Sequence, residues 1–407
     1  MTTQTIPVKW TTLIPLLSCL WIAHFLVDTM LGIWPVYKTL TELDLAKAGM
    51  IVAGGAFIGE GSQLIFGQLS DRGYRQHLVI VGLIAATASA FLVYISSYFA
   101  LFSLYLLTCI GSGCFHPSAA GLFSTLVPHR RGLLMTFFAS GGSVGLAASQ
   151  LIYTHTYDFF DGHTFMLALP GLGLALFLMF YSFPPTQIVA SSHAFRLKDF
   201  SDFLKNSTLR HLYFSQIANQ SILWGIIFIL PDVLKTLGYE SWICYGGGHL
   251  CFILGGACMM IPSGYLADKY SARSVLLVTG IVACGMFYFI LLSGGISMTI
   301  LLSSLFVLGA SLAVANPIAV ALGSKLEPQR PGAISAFLMG LVWCLSEAIG
   351  PGGVGVMSTL FQDYAPVKAL TVLGSFFLIQ IYSTIRLPQE VNAPVPAVAE
   401  TEAIIIS

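Results

Sequence analysis

Three carboxylates stand inside long apolar runs of this chain: Asp28, Glu60 and Glu347. His24 lies four residues before Asp28, so the two share a helix face, where the carboxylate can accept from the ring and the pair can hold a proton between them. Glu60 falls eleven residues before Asp71. That is about 16 Å of helix, far enough from the chain's charged turns to be buried, and a buried carboxyl can exchange a proton near neutral pH. A second imidazole, His116, precedes Pro117 in GSGCFHPSAAGL.

Neutral polar groups recur in the same way. Gln216, Asn219 and Gln220 share one helix face, with Trp224 a turn further on, and this face can form a solute wall or hydrogen-bond a neighbouring helix. Asn316 stands before Pro317 as His116 stands before Pro117. No Lys or Arg lies well inside an apolar run, so a cavity lined by these groups suits protons, cations or neutral polar solutes and disfavours anions. His24, Asp28, Glu60 and His116 also offer nitrogen and oxygen ligands to a divalent cation, which makes a metal-ion carrier the alternative reading.

The elements that position these groups follow from composition. Of 407 residues 56% are hydrophobic and only 9% charged, against about one quarter charged in a soluble domain. Runs of roughly 20 apolar residues recur to the end, each able to cross a bilayer core. The predicted spans are 11–37, 46–68, 77–97, 99–123, 132–154, 163–183, 209–231, 243–266, 273–293, 297–321, 332–358 and 366–386, twelve in all. The first is too long for a cleaved signal peptide. Sorted by loop, fourteen of the eighteen Lys and Arg residues fall on one side and only Lys38, Lys47, Lys235 and Lys368 on the other. Positive charge collects on the cytoplasmic side, which places both termini there.

The halves repeat. Pro117, Ser124, Leu126, Pro128, Arg130 and Gly132 recur 200 positions later as Pro317, Ser324, Leu326, Pro328, Arg330 and Gly332. GQLSDRGYR at Gly67 parallels GYLADKYSAR at Gly264, with Gly67/Gly264, Leu69/Leu266 and Asp71/Asp268 offset by 197. The expected organisation is a six-helix bundle over 1–183, a linker over 184–208, a second bundle over 209–386 and a disordered tail over 387–407.

With its two G-x-L-x-D-[RK] loops the sequence resembles the major facilitator superfamily. The resemblance implies an all-α membrane protein of twelve transmembrane helices in two pseudo-symmetric six-helix bundles, working by alternating access. It also implies a gate on the cytoplasmic side, onto which Gly67, Asp71, Arg72, Arg130, Gly264, Asp268 and Arg330 map. The acids would pair with bases of the next cytoplasmic loop, and Gly67 and Gly264 would let helices approach closely. Locally, AHFLVD in the first span and CFHP in the fourth are similar to the H-x-x-x-D and F-H-P runs of the fosmidomycin-resistance branch of bacterial efflux proteins. In the fifth span, where drug antiporters commonly carry Gly-Pro, Ser149 and Gln150 stand instead, and a Gly-Pro occurs at Gly350–Pro351.

Other classes fit less well. GGSVG at Gly141–Gly145 matches G-x-S-x-G, but that motif needs a strand-to-helix turn, and a Gly/Ser-rich helix accounts for it by packing. No basic face tracks a nucleic acid. A sensor without flux would carry a soluble signalling domain. Cys244, Cys251 and Cys258 repeat every seven residues, as small packing residues do. The expectation is therefore a monomeric carrier of a small polar or cationic solute in a bacterial inner membrane, contacting membrane lipids and no nucleic acid. It needs no cofactor and no bound metal, and a proton gradient coupled through Asp28, Glu60 or Glu347 is its energy source.

Overall fold

The computed structural model describes residues 10–126, 131–181, 183, 197–327, 333–334 and 336–389. No strand occurs among them. Nine helical stretches among the described residues are long and apolar enough to cross a membrane. One of these, Leu45–Tyr94, folds back on itself at Gly73, whose φ of 102° is a left-handed conformation that glycine adopts freely. It supplies two spans, and Arg131–Phe159 and the shorter Phe165–Phe180 complete the twelve.

In chain order, α1 comprises Trp10–Leu31 and Trp34–Leu40, α2 Leu45–Leu69, α3 Arg75–Ala86 with Thr87–Tyr94, α4 Tyr98–Leu126, α5 Arg131–Phe159 and α6 Phe165–Phe180. In the second half, α7 is Ser207–Thr236, α8 Ile243–Lys269, α9 Ala272–Leu292, α10 Met298–Leu326, α11 Ala336–Ser358 and α12 Ala365–Ile385. Side-chain caps start several of them. Asp44 accepts from the Lys47 amide at 2.9 Å, Asn206 from Thr208 and Leu209, and Ser271 from Ser274. The connection is partly structured: Leu197–Lys205 is a helix whose Phe200 and Phe203 pack on Phe337, and α7 begins inside the range expected to be linker.

Proline acts differently in the two repeats. α4 runs unbroken through Pro117, whereas α10 is interrupted at Val314, three residues before Pro317. α1 breaks at Gly32–Ile33, just before Pro35, which has no N–H to donate back to the preceding turn. Ser149 of α5 lies against Gly32 at that break, in the space a Cβ would take.

Within the first half α1 packs on α5 and α4 on both α2 and α3; within the second, α10 packs on α8 and α9, and α7 on α12. Across the halves α2 meets α11, α5 meets α8, and the outer segment of α1 meets α7. Gly49 is set against the Pro351 carbonyl and Gly355 against that of Leu45, so the Gly350–Pro351 run of α11 is where the halves touch backbone to backbone.

Candidate functional site

Three of the four sequence-predicted groups of the first half, His24, Asp28 and His116, come together between α1 and α4. His24 Nε2 lies 3.4 Å from Asp28 Oδ2, His116 Nε2 3.3 Å from Asp28 Oδ1, and the two Nε2 atoms 3.1 Å from each other. Each ring is held from behind. His24 Nδ1 is 2.8 Å from the Phe138 carbonyl, which can only accept, so Nδ1 carries the hydrogen. His116 Nδ1 faces both the carbonyl of Ser112 at 3.0 Å and its hydroxyl at 2.9 Å. It can donate to one or accept from the other, and its tautomer is free to change.

The chemistry of this arrangement is specific. With Nδ1 of His24 committed, its Nε2 presents a lone pair toward a carboxylate and a second imidazole. Acceptors thus converge on one point, and they are reconciled either by a hydrogen on His116 Nε2 or by a metal ion among them. His116 and Asp28 keep 24% and 18% of their side-chain surface, so the point can be reached.

Gly142 makes the cluster possible. A Cβ there would strike His24 Nε2 and Asp28 Oδ2, just as Cβ atoms at Gly141 and Gly145 would strike the carbonyls of Trp21 and Phe25. The GGSVG run is therefore a helix contact between α5 and α1, as its packing reading expects. Gly142→Val should force the triad apart. Loss of the His24–His116 contact, read as altered imidazole signals in histidine-labelled NMR spectra, is the expected result, with Gly173→Val as control because nothing lies within 4 Å of it.

Glu60 and Glu347 form a second group, outside the triad. Both are buried, on α2 and α11 respectively, and stand in electrostatic range of each other. Gln63 donates to Glu60. Glu60 also lines a cavity of about 230 Å³ between the halves, shared with Gln63, Pro117, Met339, Trp343 and Cys344. Glu60 feels the charges of His116 and Asp28 but brings no ligand atom into their cluster, so the expected four-residue metal set is a three-residue one.

The α7 residues divide. Gln216 donates to the Ala315 carbonyl of α10 at 3.2 Å and Gln220 to Asn219 at 3.2 Å, so part of this face serves helix packing. Trp224 Nε1 and Asn316 Oδ1 have no hydrogen-bond partner among the described residues. Asn316, the repeat mate of His116, therefore has no counterpart of the Asp28 contact there.

The face carrying Lys38 and Lys235 is sealed. Lys38 is wholly buried and donates to Asp232 of α7, whose other oxygen accepts from Thr39 at 3.0 Å, and Lys38 stacks over Phe228. Lys235 donates to Glu42 at 2.9 Å and holds that loop carboxyl below its ordinary value. His249 and Thr154 bond carbonyls of the opposite half, at Leu146 and Tyr245. Sequence reading assigned Lys38 to a loop and did not single out Asp232.

Toward the opposite face, Ile65 of α2 and Ile261 and Tyr265 of α8 are exposed. Among the expected gate residues, Asp71 pairs with Arg75 at 3.5 Å and Asp268 with Lys325 at 3.6 Å. Arg130 and Arg330 lie outside the described residues, and Arg72 is exposed. The close helix approach expected at Gly264 does not occur among the described residues, with nothing within 4 Å, and Gly67 makes only an ordinary contact with Pro117. Arg75, buried and bonded to Ser70, is the base that turns inward; its i, i+4 spacing from Asp71 was the available signal.

Comparison with known proteins agrees with this architecture. The chain is 21% identical over 405 residues to an uncharacterised MFS-type transporter, YfnC, of Bacillus subtilis strain 168, covering 91% of this chain and 94% of that one. Its fold is similar to the crystal structure of a bacterial homologue of the human lysosomal transporter Spinster in an inward-facing, unoccupied conformation, at a TM-score of 0.76 and 14% identity over 93% of this chain and 96% of that one. The nucleoside transporter NupG, crystallised as a point mutant, gives 0.77 and 13% over 91% and 99%. The sequence profile of the Major Facilitator Superfamily matches residues 16–351, and with nine helical stretches long and apolar enough to cross a membrane among the described residues and a cavity between two halves sealed at one face, the chain belongs to that superfamily of transporters.

Proposed function

We propose that this transporter couples the movement of a small polar or cationic solute to protons, using Glu60 and Glu347. The observation that carries the reading is that these two buried carboxylates come from opposite halves and stand in electrostatic range of each other, with Glu60 on the wall of the cavity between the halves. A proton or a cationic solute cancels their mutual repulsion when the halves close on them, which ties occupancy to the rocking motion. The rest of the cavity wall is mainly apolar, with Trp343 and Met339, which suits a solute bearing one charge on an apolar body.

The excess of basic loops on the face opposite Lys38 supports a bacterial inner-membrane protein with both termini cytoplasmic, and with the Lys38 face sealed we read the conformation as inward-facing. The H-x-x-x-D and F-H-P runs meet in space, which supports the local resemblance to the fosmidomycin-resistance branch; the acidic cavity argues against that anionic drug as cargo. A metal cargo is disfavoured as well, since His24, Asp28 and His116 all belong to one half, whereas alternating access passes cargo between two.

The test is ethidium flux in proteoliposomes under an imposed pH gradient. Glu60→Gln with Glu347→Gln should abolish the response to the gradient and leave downhill exchange. If the doubly neutralised protein still concentrates ethidium as the wild type does, the coupling assignment is wrong.

A further inference from the structure

We propose that His24, Asp28 and His116 form a resident site for a divalent transition metal of the Zn²⁺ class, held within the first half. The distances are of the size the ion needs. Zinc bonds of about 2.0–2.1 Å at the tetrahedral angle place neighbouring ligand atoms about 3.3–3.4 Å apart; the two imidazole Nε2 atoms here are 3.1 Å apart, Asp28 brings Oδ1 to 3.3 Å from His116 and Oδ2 to 3.4 Å from His24, and one ligand atom of each residue lies within 4.8 Å of the others. Two imidazoles and one carboxylate are donors such an ion prefers, while Mg²⁺ and Ca²⁺ prefer all-oxygen cages.

The backing groups are those a metal site uses. A ligating histidine donates its other ring nitrogen to a carbonyl or carboxylate, which fixes the ring and directs the lone pair at the ion. The Phe138 carbonyl does this for His24 and the Ser112 carbonyl for His116. Phe138 and Phe115 pack on the His24 ring, at 4.1 and 5.8 Å between centroids, and limit its rotation. The carboxylate gives one oxygen to each imidazole, and the partly exposed edge of His116 leaves a fourth position for water. Glu60, in electrostatic range, offsets the charge that remains after the ion meets a single carboxylate.

The ligands come from α1 and α4, two helices of one half, so a bound ion would brace that half without tying it to the other. This keeps the site within one half, and its test, metal binding and unfolding, does not depend on transport. Purified protein in detergent is titrated with Co²⁺, a coloured stand-in for Zn²⁺, and its thermal unfolding is followed with Zn²⁺ and with Mg²⁺. The expected result is visible d–d absorption saturating at one ion per chain, no thiolate charge-transfer band from the native cysteines, and a Tm raised by Zn²⁺ and not by Mg²⁺. His116→Asn, which copies the second repeat, and Asp28→Asn should each weaken Co²⁺ binding about 100-fold or more while keeping the metal-free Tm within a few degrees. A thiolate band, an unmoved wild-type Tm, or unchanged Co²⁺ affinity in His116→Asn would each overturn the proposal. Should a variant fail to fold, the wild-type spectrum and Zn²⁺ shift still decide it.

Discussion

Asp232→Asn will lower stability by about 3–5 kcal/mol, the usual consequence of removing one partner from a buried ion pair. Lys38 has no solvent to turn to, with no exposed surface and its ammonium enclosed by Asp232, Thr39 and the Phe228 ring. Its remaining route to hydration is separation of α1 from α7, so the same substitution should shift the population toward the state open on this face. Thermal unfolding reads the first effect; the second is read by a water-soluble maleimide on Val233→Cys, a position buried in the sealed state. The paired replacement Lys38→Met with Asp232→Leu should recover most of the lost stability, because an apolar pair of similar volume carries no desolvation cost. If it stays as unstable as the single variant, the loss came from packing rather than from an unpaired charge.

Gly309→Val should yield no folded protein. Gly309 of α10 faces the backbone carbonyl of Phe252 on α8, and Gly255 of α8 faces that of Phe306 on α10, each closer than a Cβ could approach. The contacts are reciprocal, so neither helix can yield without driving the other glycine into its partner. Backbone is on the receiving side, so no side-chain rotation relieves the clash, and a loss above about 4 kcal/mol is expected. Gly285→Val, where nothing lies within 4 Å, should be tolerated. Detergent size-exclusion profiles and unfolding curves of the two variants would settle the contrast.

What the sequence shows and what it hides divides along physical lines. The twelve spans are legible because membrane crossing demands long apolar runs, and their ends agree with the structure to within about five residues. α7 runs on to Thr236 rather than stopping at Pro231, and so carries Asp232 into the buried interface. The His24–Asp28 pair is legible because helical periodicity alone brings them together. That His116 joins them depends on how α1 crosses α4, a contact between residues 92 positions apart. For the same reason no local pattern announces Lys38–Asp232: a lysine near a span end looks like a loop charge until the fold closes over it. Gly142 is the reverse case, a residue whose run suggested packing and whose position then proved to shape the cluster.

The outer segment of α1, Trp34–Leu40, is buried on all sides from Trp34 to Thr39 and is anchored by the Tyr37 hydroxyl on the Leu92 carbonyl as well as by Lys38. A peg packed on its whole circumference cannot be withdrawn by degrees, because close-packed contacts are lost together. Opening of this face is then all-or-none, with no half-open geometry wide enough for a water file. That is the property that separates a carrier from a leak: the membrane potential stays intact through the cycle, and conductance measured across a bilayer holding this protein should show no channel-like steps.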